Sequence, residues 1–365
     1  ARYSDIDVKG GGAQDAAGAY DTDRRLKYSV IYTPIPLANL DSSAGAADDD
    51  FGNLYNPVEA QYDNDKRTEK KTLNIAAAFG WEIIDNLRLK TEFGYDDFNQ
   101  YDKRFFGLTT YYVKNVPASD NQNMPAIRLI DTNRHRFRST NTVNYDFKKI
   151  LKSDDHSLNL LVGHEYVITK KRTNTNESHG FPTDFDADMA WKLTSQGTPY
   201  MIDDVYSADD KLLSFFGRAN YNYKDKYLLS ATFRADASSK FASNNRWGYF
   251  PSAAIAWRIS SEPFMKNTKS WLDDLKLRLS YGTAGNNNIP VGQLSQMYEL
   301  KTSSWVNNFT SFWAPSKTMA NPDLKWETTI TRNVGLDFTL FGGKLSGNLE
   351  AYINNTKDLL IAFPV

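Results

Sequence analysis

The chain has 365 residues, and its 43 basic and 44 acidic side chains leave a formal net charge of −1. This near balance excludes a strong global field of the kind that draws a protein to nucleic acid. A mean hydropathy of −0.57, without an apolar run of about 18 residues, excludes a membrane-spanning helix, and the lack of cysteine excludes disulfides and thiol catalysis.

The first strongly patterned segment lies between residues 72 and 96, where nearly every second residue is apolar. Side chains alternate between the two faces of a β-strand, so the pattern predicts strands with one apolar face. Asp85 and Asn86 interrupt it, and both residue types tolerate tight turns. The segment therefore predicts a hairpin, whose apolar positions are Leu73, Ile75, Ala77, Phe79, Trp81, Ile83, Leu87, Leu89, Phe93 and Tyr95.

The same period predicts three further hairpins, at residues 137–166, 211–236 and 334–353. Their turns are short, at residues 151–155, 224–226 and 341–344.

The alternation is clearest from Tyr227 to Asp236 and from Ala253 to Ile259. In the first of these segments one face carries Tyr227, Leu229, Ala231, Phe233 and Ala235. Strands of soluble proteins average about five or six residues, whereas a tilted strand needs about nine to eleven residues to cross a bilayer. The length of the alternation therefore favours strands that span a membrane.

The connections between hairpins are long and polar, near residues 33–70, 107–132, 173–210 and 283–324. Short turns on one side and long loops on the other are typical of outer-membrane barrels, and an aromatic content of 14% suits their interfacial girdles. We predict an all-β, antiparallel transmembrane β-barrel domain over residues 1–365, with about twelve strands. A short turn or helix is expected at residues 262–274, between two of them.

The second half of the chain contains a series of distinctive blocks. They are YLLSATFRADASSKF (227–241), NRWGYFPSA (245–253), WRIS (257–260), WLDDLKLR (271–278), SYGTAGNNNI (280–289), NPDLKWETT (321–329) and TKDLL (356–360). In this order they resemble the SusC/RagA group of TonB-dependent outer-membrane transporters from Bacteroidetes. The resemblance covers roughly residues 211–365.

This resemblance implies a barrel of 22 strands in the outer membrane, filled by an N-terminal plug and energised by TonB. It also implies a SusD-like lipoprotein lid and the import of oligosaccharides or oligopeptides, with no enzymatic activity and no cofactor. About twelve strands are half of such a barrel, so we expect the plug and the last strands to lie outside this chain. An open sheet would expose unpaired edges, so we also expect the chain to be unstable alone in water.

Two other functions stay open. A surface β-sandwich or propeller that binds glycans would share the alternation, and a passive porin would share the barrel but lack the plug.

Five aromatic residues in the loop at 291–324 are candidates for contact with substrate or with a lid protein, because exposed aromatic rings stack on sugars and anchor interfaces. Packing of the loop on itself is the alternative. These residues are Tyr298, Trp305, Phe309, Phe312 and Trp313.

Arginines recur on the polar faces of the predicted strands, where a barrel lumen tolerates charge. They are candidates for contact with the plug or with passing substrate. Pairing with acids such as Glu92, Asp96 and Asp236 is the structural alternative. The lumen-facing candidates are Arg88, Arg138, Arg218, Arg234, Arg258 and Arg278.

No metal site is expected from the four histidines, whose spacing does not suit zinc. The acidic run Asp48–Asp50 could hold calcium in a loop, but it lacks alternating ligand spacing and also reads as a solvated acidic segment. No phosphate-binding loop or nucleophile motif occurs.

Overall fold

The computed structural model describes residues 1–9, 63–108, 110, 113, 121–151, 153, 155–296, 298–302, 311–315 and 319–361. The first seven strands are β1 (Arg2–Lys9), β2 (Lys66–Ile84), β3 (Leu87–Phe106), β4 (Ala126–Asp146), β5 (His156–His179), β6 (Thr198–Tyr206) and β7 (Asp210–Tyr223). The others are β8 (Tyr227–Ser238), β9 (Trp247–Arg258), β10 (Leu272–Asn286), β11 (Tyr298–Thr302), β12 (Ser311–Pro315), β13 (Glu327–Leu340) and β14 (Leu345–Lys357).

Twelve of these strands form one sheet in the order β1-β2-β3-β4-β5-β7-β8-β9-β10-β13-β14, with β6 paired to β5. The strands β11 and β12 form a separate pair. The prediction of a long antiparallel sheet of about twelve strands is confirmed, as are the four hairpins. Among the described residues, no helix is long and apolar enough to cross a membrane.

The strands extend further than the predicted loops allowed. β5 has 24 residues and continues to His179, and β4 begins at Ala126, so both enter segments predicted as loops. Two short helices were also missed, α1 (Lys148–Leu151) and α2 (Ala187–Lys192). The ends of these strands carry polar side chains on both faces, so the sequence shows no apolar alternation there. They form strands through backbone pairing, which the sequence does not reveal.

The short turns have the backbone that their residue types favour. Asn86 has φ of 70°, and Lys224 and Asp225 both have φ of 54°. Two consecutive central residues with positive φ match the twist of a hairpin. At the predicted turn before β10, residues Pro263–Thr268 form a 3-10 helix.

The chain divides into two compact units. The first unit comprises Ala1–Asn74, Asp96–His135 and Lys171–Tyr206. Its core contains Phe105, Ile127, Phe181 and Ala190, and a neighbouring cluster contains Phe106, Val113 and Ala126.

The second unit comprises Ile75–Tyr95, Arg136–Lys170 and Ser207–Val365. Its buried apolar residues form a small cluster of Phe241, Phe250, Ile289 and Trp326. Most of its other large apolar side chains are half-buried or exposed, so this unit is organised mainly by its sheet.

Candidate functional site

The register of the second unit separates two faces of its sheet, because directly opposed residues in antiparallel strands point the same way. One row joins Tyr227, Trp257, Leu277, Leu336 and Leu349 across five strands. We call this side the apolar face. The adjacent row, one residue along, joins Leu228, Ala256, Arg278, Gly335 and Glu350 and lies on the polar face.

The apolar face is the more exposed of the two. Phe233 is 52% exposed, whereas the next side chain, Arg234, is 35% exposed on the polar face. Ile255 and Leu349 on the apolar face are also exposed. Contiguous exposed apolar surface of this kind marks contact with a membrane or a protein.

Aromatic residues form two bands on the apolar face. Toward the turn at 224–226, Tyr223 stacks on Tyr227 with ring centroids 6.2 Å apart. Further along the strands Phe233 stacks on Tyr249 at 6.3 Å, and at the start of β9 Trp247 stacks on Phe215 at 6.3 Å. From Tyr227 to Ala237, the partner of Trp247, ten steps of about 3.3 Å at a tilt of about 40° give a height of roughly 25 Å. That height matches the apolar band of outer-membrane barrels.

Arg234 centres one charged network on the polar face. Its Nε donates to both carboxylate oxygens of Asp236, at 2.8 and 2.9 Å, and its Nη2 lies 3.5 Å from Glu165 and donates to Ser214 at 2.9 Å. Thr140 donates to the same glutamate at 3.0 Å. The network ties four strands, β4, β5, β7 and β8, together.

Arg278 centres a second network, across β10, β13 and β14. It donates through Nε and Nη2 to the two carboxylate oxygens of Asp337, at 2.9 and 2.8 Å, and through Nη2 to Glu350 at 2.7 Å. Lys276 lies 3.1 Å from the same aspartate. Gly335 makes room for the Arg278 guanidinium, because a Cβ at this position would lie 3.0 Å from Nη2 of Arg278.

The other predicted arginines have simpler surroundings. Arg218 donates to Thr232 at 3.1 Å, and Arg258 lies 3.5 Å from Asp274. The side chains of Arg88 and Arg138 lie over glycines of neighbouring strands, Gly80 and Gly94 respectively. The structure brings Arg234 and Arg278 into networks and leaves the other four candidates apart from them.

The structure describes the aromatic loop candidates only in part. Tyr298 begins β11 and is exposed, while Phe312 and Trp313 lie in β12, opposite Lys301 and Leu300. Trp305 and Phe309 lie outside the described residues, as does the acidic run Asp48–Asp50. Within the described residues, no group of three potential metal ligands occurs.

Two residues of the family-like blocks at 245–253 and 321–329 have a structural role that the sequence did not reveal. Phe250 and Trp326 pack edge to face with ring centroids 5.4 Å apart. The Trp326 indole N–H donates to the Arg246 carbonyl at 2.9 Å, which joins two of the blocks. Gly285 is required beside Phe250, because a Cβ there would come within 2.0 Å of the ring.

The first unit contains a cluster of Arg128, Glu177 and His179 that no sequence signal indicated. Arg128 donates to Glu177 at 2.6 Å, and His179 lies 2.9 Å from the other oxygen of that carboxylate. The His179 ring stacks on Tyr200 at 4.1 Å. Arg128 and Glu177 lie 49 positions apart along the chain, so only the pairing of the strands brings them together.

A sheet of long antiparallel strands with an exposed apolar face, aromatic bands and a charged opposite face defines the class of outer-membrane β-barrels. The family described as TonB dependent receptor-like, beta-barrel matches residues 9–365. The chain belongs to this family, whose SusC- and RagA-type members are outer-membrane proteins.

Individual relatives agree with this assignment. SusC of Bacteroides thetaiotaomicron is 28% identical over an alignment of 376 positions, which covers 98% of this chain and 35% of that protein. TonB-dependent receptor P3 of Formosa agariphila is 31% identical over 324 residues, or 87% of this chain and 30% of the receptor. The RagAB peptide transporter structure matches with a TM-score of 0.70 and 28% identity, covering 85% of this chain and 32% of that one. The chain thus spans about a third of the length of the curated relatives it matches.

Proposed function

We propose that the chain forms part of the barrel wall of an outer-membrane importer for oligosaccharides or oligopeptides. The observation that carries this proposal is the inverted exposure of the second unit. Its apolar face suits lipid, whereas its polar face has the paired charges of a surface that lines an aqueous or plug-filled lumen. The wall binds and passes its substrate without changing it.

The proposed energy source is TonB, acting through a plug domain, and the proposed partner is a SusD-like lipoprotein at the outer surface. The family of the chain supports the first partner, and its similarity to SusC and to the RagAB structure supports the second. We place the short turns on the periplasmic side and the long connections outside, where a lid protein would dock.

The paired arginines of the polar face have a defined part in this proposal. Arg234 and Arg278 are neutralised by carboxylates of neighbouring strands. They therefore present hydrogen-bonding groups to the lumen without a large unpaired charge. Such a wall would contact a plug or an uncharged, strongly hydrated substrate without trapping it.

The aromatic residues of the loop are the proposed points of contact with substrate or lid. Tyr298 is 60% exposed on β11, and Trp313 lies on the paired strand β12. Loss of one stacked ring costs on the order of 1 kcal/mol, which corresponds to about a fivefold loss of apparent affinity.

Uptake by cells tests the proposal. The complete gene is deleted, and uptake of fluorescent oligosaccharides and oligopeptides is compared after complementation with wild type, Tyr298→Ala, Trp313→Ala or the control Tyr249→Ala. Tyr249 is as exposed, at 61%, but lies on the apolar face. We expect the loop variants to raise the half-saturating concentration about fivefold and the control to leave it unchanged. Equal uptake by the deletion strain and wild type would refute import.

Two measurements separate the rival functions. A surface sandwich or propeller leaves the membrane fraction in alkaline carbonate, whereas a barrel requires detergent. A passive porin retains uptake in a strain without TonB, whereas the proposed importer loses it.

A further inference from the structure

A groove of about 510 Å³ lies on the apolar face of the second unit, across β9, β10, β13 and β14. Its volume falls within the range of roughly 300–1,000 Å³ that ligand pockets occupy. One row of its lining joins Ile255, Leu279, Val334 and Ala351. Branched side chains thus form its walls, and an alanine leaves space at one end.

The second row of the lining contains a cation. It joins Ala253, Tyr281, Arg332 and Ile353. Arg332 is exposed, and its guanidinium lies 6.0 Å from the centroid of the Tyr281 ring. On this face of the four strands, it is the single charged side chain between the turn-proximal Asp273 and the terminal Lys357.

Arg332 differs from the arginines of the polar face in its partners. Arg234 and Arg278 each pair with two carboxylates. Among the residues that the structure describes, no carboxylate forms an ion pair with Arg332. A cation on the apolar face therefore has positive charge available for an external anion.

The height of Arg332 in the membrane identifies that anion. It lies eight residues from Leu340, at the end of its strand next to the short turn, which places it roughly 20 Å above that end. The apolar band is about 25 Å tall, so the guanidinium lies near the far interface, where an arginine costs only about 0–1 kcal/mol. Lipid headgroups lie at that depth.

We propose that this groove binds a phosphate-bearing membrane lipid, with an acyl chain along the apolar rows and the phosphate on Arg332. Guanidinium groups bind phosphate through paired hydrogen bonds, and the groove supplies apolar surface directly beside that charge. The inference rests on the proposed contact of the apolar face with lipid. It does not depend on transport.

Binding to defined lipids tests this site in the complete gene product, purified in a non-ionic detergent. Native mass spectrometry compares phosphatidic acid with diacylglycerol of identical acyl chains, since these two probes differ only in the phosphate. We expect wild type to bind phosphatidic acid at least tenfold more tightly. Arg332→Gln should remove this preference, while Arg246→Gln, which changes an exposed arginine outside the groove, should keep it.

A second variant separates the groove from the charge. Ala351→Phe fills the groove but keeps Arg332, and we expect it to weaken phosphatidic acid binding at least fivefold. Free inorganic phosphate at equal concentration should not displace the lipid. Heat-modifiable migration in gels confirms that each variant is folded, and carbonate extraction shows separately whether the barrel is in the membrane.

Three results would overturn the proposal. They are an unchanged lipid preference in Arg332→Gln, unchanged binding in Ala351→Phe, and a lipid-free species in which a second copy of the chain covers the groove.

Discussion

Strand β3 contributes to both compact units, and its aromatic side chains have opposite surroundings in the two. In the second unit Phe93 is 48% exposed, whereas in the first unit Phe105 is 4% and Phe106 is 1% exposed. The strand is continuous in sequence and pairing. The first unit thus buries apolar groups as a water-soluble domain does, whereas the second exposes them as the outer face of a membrane barrel does.

The charged residues of the two units differ less. The first unit buries Glu177 beside Arg128, whose side chain is 24% exposed. The second unit buries Asp236 beside Arg234, whose side chain is 35% exposed. Both units thus pair a buried carboxylate with a partly exposed arginine, and the contrast between them lies in their apolar side chains.

The largest expected effect is the difference in stability between two truncations, one phenylalanine to alanine in each unit. Phe181 is fully buried in the core of the first unit, so Phe181→Ala should destabilise that unit by about 3–5 kcal/mol. Phe233→Ala removes an exposed ring and one aromatic contact, and should cost about 1 kcal/mol or less. Hydrogen exchange of peptides from residues 98–106 and 227–238, measured in detergent, reports each unit separately.

Equal protection in the two variants would show that the second unit also buries its apolar face, and the comparison between the units would fail. A conservative control is Phe181→Leu, which retains most of the apolar volume and should lose much less protection.

Adjacent residues of β2 sharpen the assignment of the faces. Phe79 is exposed and lies five residues from the strand end at Ile84, near the middle of the proposed apolar band. Phe79→Arg should cost about 2–4 kcal/mol, because it places a charge in hydrocarbon. Ala78→Arg, on the opposite face, should cost less than about 1 kcal/mol. The folded fraction in the outer membrane, measured by heat-modifiable migration, distinguishes them, and equal yields would contradict the assignment.

The sequence predicted the sheet because alternation is a local property. The apolar positions from Leu73 to Tyr95 and from Tyr227 to Ala235 are visible within ten residues, and so are the turns at Asn86 and Lys224. The end of β5 was missed because residues 170–179 are polar on both faces. Their strand conformation comes from pairing with β6, which lies about 25 residues away.

For the charged networks, the sequence predicted only the face of the sheet on which the arginines lie. Parity predicted that Arg234 and Arg278 share the polar face, but Glu165 and Glu350 lie 69 and 72 residues from these arginines. Such pairs depend on the register of the whole sheet. Arg332 was missed although it alternates with Val334 and Leu336, because a cation in an apolar row was not expected. Contact of the loop aromatics with substrate remains a prediction.

A smaller effect is expected at the network of Arg278. Arg278→Ala leaves Asp337 and Glu350 facing each other without their shared cation. Hydrogen bonds to charged groups contribute about 1.5–3 kcal/mol, and partial exposure reduces the loss to about 1 kcal/mol. Thermal unfolding in detergent should show this loss at low salt and less of it at 1 M salt, because ions screen the carboxylates. Arg278→Lys keeps the charge and should fall between. An unchanged midpoint at low salt would count against the network.

The smallest expected effect is a loss of stability at low pH. It comes from Glu262, which lies in a turn and not in the strands beside it. Glu262 lies outside the strands and accepts hydrogen bonds from the Tyr227 hydroxyl at 2.7 Å, the Trp257 indole at 3.2 Å and Lys226 at 3.1 Å. The Tyr227 hydrogen bond in particular lowers the pKa of Glu262 below its ordinary value of 4.5. Because the pKa is lower in the folded state, the stabilisation is complete above pH 4.5 and is lost as the pH falls through the folded value.

Glu262→Gln cannot lose this stabilisation, so its unfolding midpoint should fall less than that of wild type between pH 6 and pH 3. Thermal unfolding of the complete protein in detergent measures both midpoints. The control is Glu82→Gln, which changes an exposed acid beside the turn at Asn86. Glu350→Gln would be unsuitable, because it perturbs the Arg278 network. If Glu262→Gln and wild type lose stability in parallel, the carboxylate does not anchor the turn. The two aromatic donors would then be held by the apolar face alone.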